Sequence, residues 1–315
     1  MGSSGPDVAD LQRRLSAAGF PIDDKTGLFD ELTGAAVTKF QRARGLREDG
    51  ACDATTWSAL IESGFAIGDR LLCLRSPMMR GDDVSDLQLR LGVFGFDAGR
   101  VDGIFGQMTQ RAVGEFQRNA GLVCDTVCGP ETVGALLRLE GRSGKAAVTG
   151  VRERERLRRR RSTLHDLRIA VGMTNGPHSA MSRFAFELQS GGSLVLLLED
   201  MDWGTQANQV NDFQADLFIG LSVTATPMIE ACYFSVPGYE SVGGRRLAEL
   251  VVSEMPASPG WGIGTVRGTR LQIVRETRPP AVLIRVGDAP ILRASEDLVI
   301  ASLRRAIDAW VHDPC

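Results

Sequence analysis

With 315 residues, 43% of them hydrophobic, the chain has material for two or three domains with ordinary cores. Its 36 Lys and Arg against 39 Asp and Glu leave a formal net charge of −3, so the molecule as a whole offers no basic field that would draw it to nucleic acid. No stretch reaches the roughly 18 consecutive apolar residues of a helical membrane span.

The opening residues, MGSSGPDVADLQRR, lack the basic-then-apolar order of a secretory signal, and with Met1 as the start this predicts a cytoplasmic protein. Six cysteines (Cys52, Cys73, Cys124, Cys128, Cys232 and Cys315) are scattered along the chain, a usage that suits reduced thiols better than a disulfide framework. Cys124 and Cys128 have the spacing of half a zinc site, but no second Cys or His pair accompanies them.

An internal repeat organises the first half. Residues 5–60 align without a gap on residues 81–136 at a constant offset of 76, with 25 identities in 56 positions. Each copy reads as three helices. In the first, Val8, Leu11 and Leu15 recur at helical spacing after Asp7 as the expected N-cap, with Gly19 as a stop. In the second, Thr33 is expected to cap a helix whose Ala36, Val37 and Phe40 share one face, and the third, from about Ala54 to Ile61, turns Trp57 and Leu60 inward. Between the first two helices VDGIFG (101–106) has the glycines of a tight turn, whereas its copy KTGLFD (25–30) keeps only Gly27 and Phe29.

VDGIFG, AVGEFQ and DTVCGPET together resemble the peptidoglycan-binding domain family, small three-helix modules whose signature runs through a DG-x-FG turn, an AV-x-x-FQ helix and a DG-x-x-G-x-x-T end. The second copy matches nearly throughout and the first more weakly. Phe29, Phe40, Phe105 and Phe116 are what a small helical core needs whatever it binds. Ligand contacts are expected from exposed loop and groove side chains, with Asp102, Gln117 and Arg118 as examples. The repeats are assigned to residues 1–66 and 67–140.

Residues 141–165 form a charged boundary segment around VRERERLRRRR. No aromatic residues interleave its arginines to stack bases, so a solvated linker or helix end is expected, with contact to an acidic partner or a membrane surface as the other reading.

Residues 166–315 alternate short apolar runs with amphipathic stretches. LRIAVGM, SLVLLLE, DLFIGLSV, ACYFSV, RLQIVRE and AVLIRVG read as strands, and segments near 179–190, 205–214, 241–254 and 295–311 read as helices. The expected fold is an α/β domain with a mostly parallel sheet covered on both faces, whose chemistry would gather at the carboxyl ends of the strands. GWGIGTVRG (260–268) is glycine-rich but has neither the GK[ST] end nor the spacing of a phosphate loop.

NDFQADLFIGLSVTA (211–225) and LQIVRETRPPAVLIRVGD (271–288) resemble two segments of the zinc-dependent N-acetylmuramoyl-L-alanine amidases. Behind tandem peptidoglycan-binding repeats, the arrangement is similar to the actinobacterial CwlM-type proteins, amidase-like cytoplasmic regulators of peptidoglycan precursor synthesis. In the active amidases two His and one Glu hold zinc and a further Glu after the last strand moves protons. Transferred residue by residue, that pattern fails here: Asn175 stands for the first His, Ser222 for the second and Arg285 for the catalytic Glu. The Glu ligand finds no position beyond nearby Glu187. Of the three histidines, His165 precedes the first strand, His312 is C-terminal, and His178 reads as a surface residue at a helix start.

A permanent cation at Arg285 would oppose a divalent metal and could welcome a phosphate or carboxylate, unless it pairs with an acid such as Asp288. The resemblance therefore implies a catalytically inactive amidase-fold protein without metal or cofactor. Its partners would be peptidoglycan or its precursors, with UDP-N-acetylglucosamine enolpyruvyl transferase as the implied protein partner. The alternative is an active zinc amidase of the cell wall.

Overall fold

The computed structural model describes every residue except 1, 23–26, 45, 47, 140–147, 160–162, 176–177, 200–201, 225–227, 237, 256–261, 288 and 315. The chain divides into two units, Met1–Thr149 and Gly150–Cys315. Among the described residues no helix is long and apolar enough to cross a membrane.

The first unit holds two three-helix repeats: α1 (Pro6–Ala17), α2 (Glu31–Arg44) and α3 (Ala54–Glu62), then α4 (Asp82–Val93), α5 (Gln107–Asn119) and α6 (Pro130–Leu139). The offset of 76 carries over to packing, because Leu11, Leu15, Val37, Phe40 and Leu60 fill one core while Leu87, Leu91, Val113, Phe116 and Leu136 fill the other. Trp57 is half-buried against the first core. Two helix starts differ from expectation. α1 begins at Pro6 with Gly5 as N-cap, since proline at the first position loses no hydrogen bond and Asp7 then adds its charge within the first turn. At α2 it is Asp30 Oδ1 that accepts from the Thr33 N–H and hydroxyl at 2.8 and 2.7 Å, while Thr33 itself is buried. A bidentate Arg44–Asp82 pair, at 3.1 and 2.9 Å, ties α2 of one repeat to α4 of the next.

In the second unit the strands are β1 (Arg168–Asn175), β2 (Leu194–Leu198), β3 (Leu217–Thr224), β4 (Ile229–Val236), β5 (Tyr239–Glu240), β6 (Thr265–Thr269) and β7 (Ala281–Gly287). They form one sheet in the order β2-β1-β3-β7-β4-β5, with β6 also paired to β4. The β2, β1, β3 and β7 block is parallel, and β4 runs antiparallel to β7. Ile169, Val171, Leu217, Ile219, Leu221, Val282 and Ile284 alternate onto one face, where they pack under α8 (His178–Ser190), α10 (Val242–Glu254) and α13 (Glu296–His312). α9 (Trp203–Asp212) and the five-residue α11 (Gln272–Glu276) cover the other face.

Within the run 270–276, Gln272–Glu276 is thus helical rather than a strand. Its short apolar run fits either structure by pattern alone, and the strand it was expected to supply is formed instead by β6 just upstream. α12 (Ala289–Ala294) leads into α13, whose Trp310 indole N–H donates to the Gly243 carbonyl at 3.0 Å.

The charged boundary segment is not simply solvated. α7 (Val148–Arg159) is anchored to the second unit by two side chains. Leu157 is buried in the sheet-facing core, and Glu153 caps α10: its Oε1 accepts from Ser241 Oγ at 2.7 Å and Gly243 N at 3.3 Å, its Oε2 from Val242 N at 3.2 Å and the Tyr239 hydroxyl at 3.3 Å. An anion among the first N–H groups of a helix satisfies donors that have no intrahelical partner and sits well in the helix dipole. Glu153→Ala is expected to lower the stability of the second unit by about 1–2 kcal/mol, read as an earlier midpoint in urea denaturation of the full chain.

Candidate functional site

The residues singled out in the second repeat fall into different environments. Gln117 lies four residues after Val113 and one after Phe116, and so turns inward with them; it is 1% exposed. Its Nε2 donates to Asp125 Oδ1 (2.7 Å), the Val127 carbonyl (3.0 Å) and Thr132 Oγ1 (3.0 Å), and its Oε1 accepts from Thr126 N at 2.9 Å. Gln117 therefore cross-braces the loop before α6 and is no groove contact. The same bracing recurs in the first repeat, where Gln41 reaches Asp49, the Ala51 carbonyl, Thr56 and the Gly50 N–H.

Gln88 does this for the VDGIFG turn. It donates to Asp102, the Ile104 carbonyl and Thr109 and accepts from Gly103 N at 2.8 Å, a residue with φ of 75°. Asp102 is half-buried, and its Oδ1 also takes the Ile104 N–H at 2.9 Å. Arg118 is exposed, with Nη1 3.4 Å from Cys124 Sγ. Of the three, only Arg118 has an outward side chain free of the turn scaffold. Cys128 is a core residue, its thiol pushed up to about 12 by burial and then by Asp83 and Asp125.

In the second unit, strand register brings the three amidase-motif positions together. Asn175 is the Cα partner of Ser222, Ser222 of Arg285, and Arg285 of Glu230, a row across β1, β3, β7 and β4 at the carboxyl ends of the parallel strands. The Asn175 side chain and Asp288 lie outside the described residues.

Among the described residues, Glu230 is an acid that meets Arg285. Glu230 Oε2 is 3.3 Å from Arg285 Nη1, and its Oε1 is 3.4 Å from Arg267 Nη1; the side chains of Arg285 and Glu230 are 12% and 8% exposed. Two residues along the same face of β4, the Cys232 thiol donates to Glu230 Oε2 at 3.4 Å. Burial, with the Glu230 charge second, pushes that thiol far above its ordinary range. One strand pair below the row, Gly172 and Gly220 are Cα partners, and α9 closes directly on them: Gln206 Nε2 donates to the Met173 carbonyl at 3.2 Å, and a Cβ on Gly172 would collide with Gln206 Oε1.

This donor set does not fit zinc. A hydroxyl and a guanidinium occupy two of the three positions, and the nearby carboxylate is engaged by two arginines. Among the described residues no three His, Cys, Asp or Glu side chains are grouped to hold a metal ion. His178 is exposed at the start of α8, and Glu187 is exposed on the same helix.

Residues 4–60 and 80–136 match the peptidoglycan binding domain family. Over 294 residues the chain is 31% identical to the N-acetylmuramoyl-L-alanine amidase CwlM of Mycobacterium tuberculosis, an alignment that takes in 82% of this chain and 72% of the relative. The chain belongs to the CwlM family. It carries two peptidoglycan-binding repeats followed by an amidase-like α/β domain. The N-acetylmuramoyl-L-alanine amidase CwlL of Bacillus licheniformis is 31% identical over 160 residues, 44% of each chain. The solved structure of the amidase AmiC2 of Nostoc punctiforme, 17% identical, covers 48% of this chain and 99% of that one with a TM-score of 0.38.

In this CwlM-family chain, Glu230 is the site residue that sequence reasoning missed. It lies 55 positions before Arg285, and only the antiparallel pairing of β4 with β7 makes them neighbours. Two measurements check the assignments. Gln117→Ala, which leaves the Thr126 N–H without its partner and removes the brace on Asp125 and Thr132, is expected to cost about 1–3 kcal/mol of thermal stability, and Arg118→Ala within about 0.5 kcal/mol. With iodoacetamide at pH 8, native protein should be alkylated at exposed Cys124 and spared at Cys128 and Cys232, where the thiolate is suppressed; peptide mapping reads the difference.

Proposed function

We propose that the chain is a peptidoglycan-binding, catalytically inactive amidase-like protein that regulates cytoplasmic peptidoglycan precursor synthesis. One observation carries this reading: Ser222 and Arg285 stand side by side in register, with Arg285 ion-paired to Glu230 across the next strand. Zinc-assisted amide hydrolysis needs a metal with an open position that lowers the pKa of bound water, together with a carboxylate to carry protons. At this row the carboxylate position is a guanidinium that cannot deprotonate, and its positive charge raises the energy of any divalent ion placed beside it. The sheet and its flanking helices supply the binding scaffold; the chemistry is withdrawn from it.

The tandem repeats support peptidoglycan, or its precursors, as what the chain binds. By its resemblance to CwlM-type regulators, UDP-N-acetylglucosamine enolpyruvyl transferase is the protein partner to test first. A second reading, an active N-acetylmuramoyl-L-alanine amidase, draws support from the names of the relatives.

The deciding experiment measures metal content and hydrolysis together. Purified protein offered zinc is expected to hold far less than one ion per chain and to release no stem peptide from peptidoglycan fragments. Stoichiometric zinc with peptide release overturns the proposal in favour of the hydrolase. Asn175→His with Ser222→His and Arg285→Glu restores two imidazoles and a carboxylate to the row, and this triple variant is expected to take up zinc where the parent does not. Co-purification with the transferase, and recovery in the cytoplasmic fraction of cells, test the regulatory part.

A further inference from the structure

At the opposite end of the parallel strands from the Ser222–Arg285 row, roughly 17 Å away along β3 and β7, the second unit carries a cavity of about 680 Å³ that no part of the proposed function uses. Its apolar surface comes from Leu157 of α7, Val210 of α9, and Pro279 and Pro280 just before β7, all of them buried. Two arginines line it from different walls, Arg156 on α7 and Arg278 in the turn ahead of β7.

Both arginines sit on backbone that is already fixed. The Arg278 N–H donates to Asn211 Oδ1 at 2.7 Å, and Asn211 Nδ2 in turn donates to the Glu276 carbonyl at 2.9 Å, so this turn is stitched to the end of α9. Arg156 is held between Glu153, which caps α10, and buried Leu157. Two carboxylates also line the cavity, and each is already engaged: Asp216 Oδ2 accepts the Arg168 N–H at 2.8 Å, and Glu155 has its own partner. Among the described residues neither Arg156 nor Arg278 forms an ion pair. The unbalanced chemistry of the cavity is thus two exposed guanidinium groups over an apolar floor.

We propose that this cavity binds a small organic phosphate, with the phosphate on Arg156 and Arg278 and the organic body on the floor of Leu157, Val210, Pro279 and Pro280. Guanidinium groups suit phosphate oxygens because they present paired donors and stay charged at every physiological pH. The volume lies within the several hundred Å³ usual for small-molecule sites. An apolar floor favours an organic phosphate over the bare ion. Because α7 forms one wall, ligand binding would also hold that helix more firmly against the domain.

Calorimetric titration of the full chain with uridine monophosphate, glycerol 3-phosphate and inorganic phosphate tests this. At least one organic phosphate is expected to bind with one-site saturation and more tightly than inorganic phosphate. Arg156→Ala and Arg278→Ala should each weaken that binding about tenfold or more, with folding confirmed by circular dichroism. Hydrogen exchange of residues 153–158 should slow when the ligand is present. The proposal is overturned by three outcomes: no saturable binding below about 5 mM, binding that both alanine variants leave unchanged, or tighter binding of an unphosphorylated poly-glutamate peptide. The last would mark an acidic-partner surface. Metal content and hydrolysis at the other end of the strands are read separately, so either conclusion can fail alone.

Discussion

The parallel pairing of β3 with β7, and the antiparallel pairing of β7 with β4, set what the second unit can do. Side chains on a strand alternate between faces, so once Leu221 and Ile284 are committed to the core, Ser222 and Arg285 are committed to the opposite face and to each other's company. Register then places Glu230 next in line. A buried guanidinium would be costly alone, and Glu230 offsets that cost with one oxygen on Arg285 and the other on Arg267. The same pairing that makes the arginine tolerable occupies the carboxylate that could otherwise have served a metal.

Both halves of the fold were largely legible in the sequence. A repeat with constant offset fixed the helical unit, and alternating apolar runs with amphipathic stretches gave an α/β sheet with helices on both faces. Errors arose where pattern is locally ambiguous. The run around Ile273 and Val274 is apolar enough for a strand but forms a short helix over the sheet. Gln117 is polar and so read as a surface contact, yet Gln12, Gln41, Gln88 and Gln117 each lie on the inward stripe of a helix, and all four are buried. Their recurrence at the repeat offset is a signal within the sequence itself, since duplicated interior amides point to duplicated loop bracing.

The candidate site was legible as three positions and illegible as a network. Motif order named Asn175, Ser222 and Arg285, which strand register sets in one row, but Glu230, which pairs with Arg285, belongs to no motif. Sequence distance says little about which acid meets an arginine when an antiparallel strand intervenes. The first unit teaches the converse lesson, because its polar networks are local: Gln88 and Gln117 reach partners only 8 to 21 residues away, and a three-helix module can be read nearly whole from one copy.

The docking of α7 has a further consequence, for how such proteins can be assembled from parts. A segment that looks like an interchangeable spacer carries the carboxylate that finishes α10 and a leucine that belongs to the core. A cut made at the first strand would leave the amidase-like domain with an open helix end and an exposed apolar gap, although no residue of the sheet had been touched. The physical start of that domain therefore lies about fifteen residues before its first strand, and recombination that exchanges the repeats is constrained to join the chain upstream of Glu153.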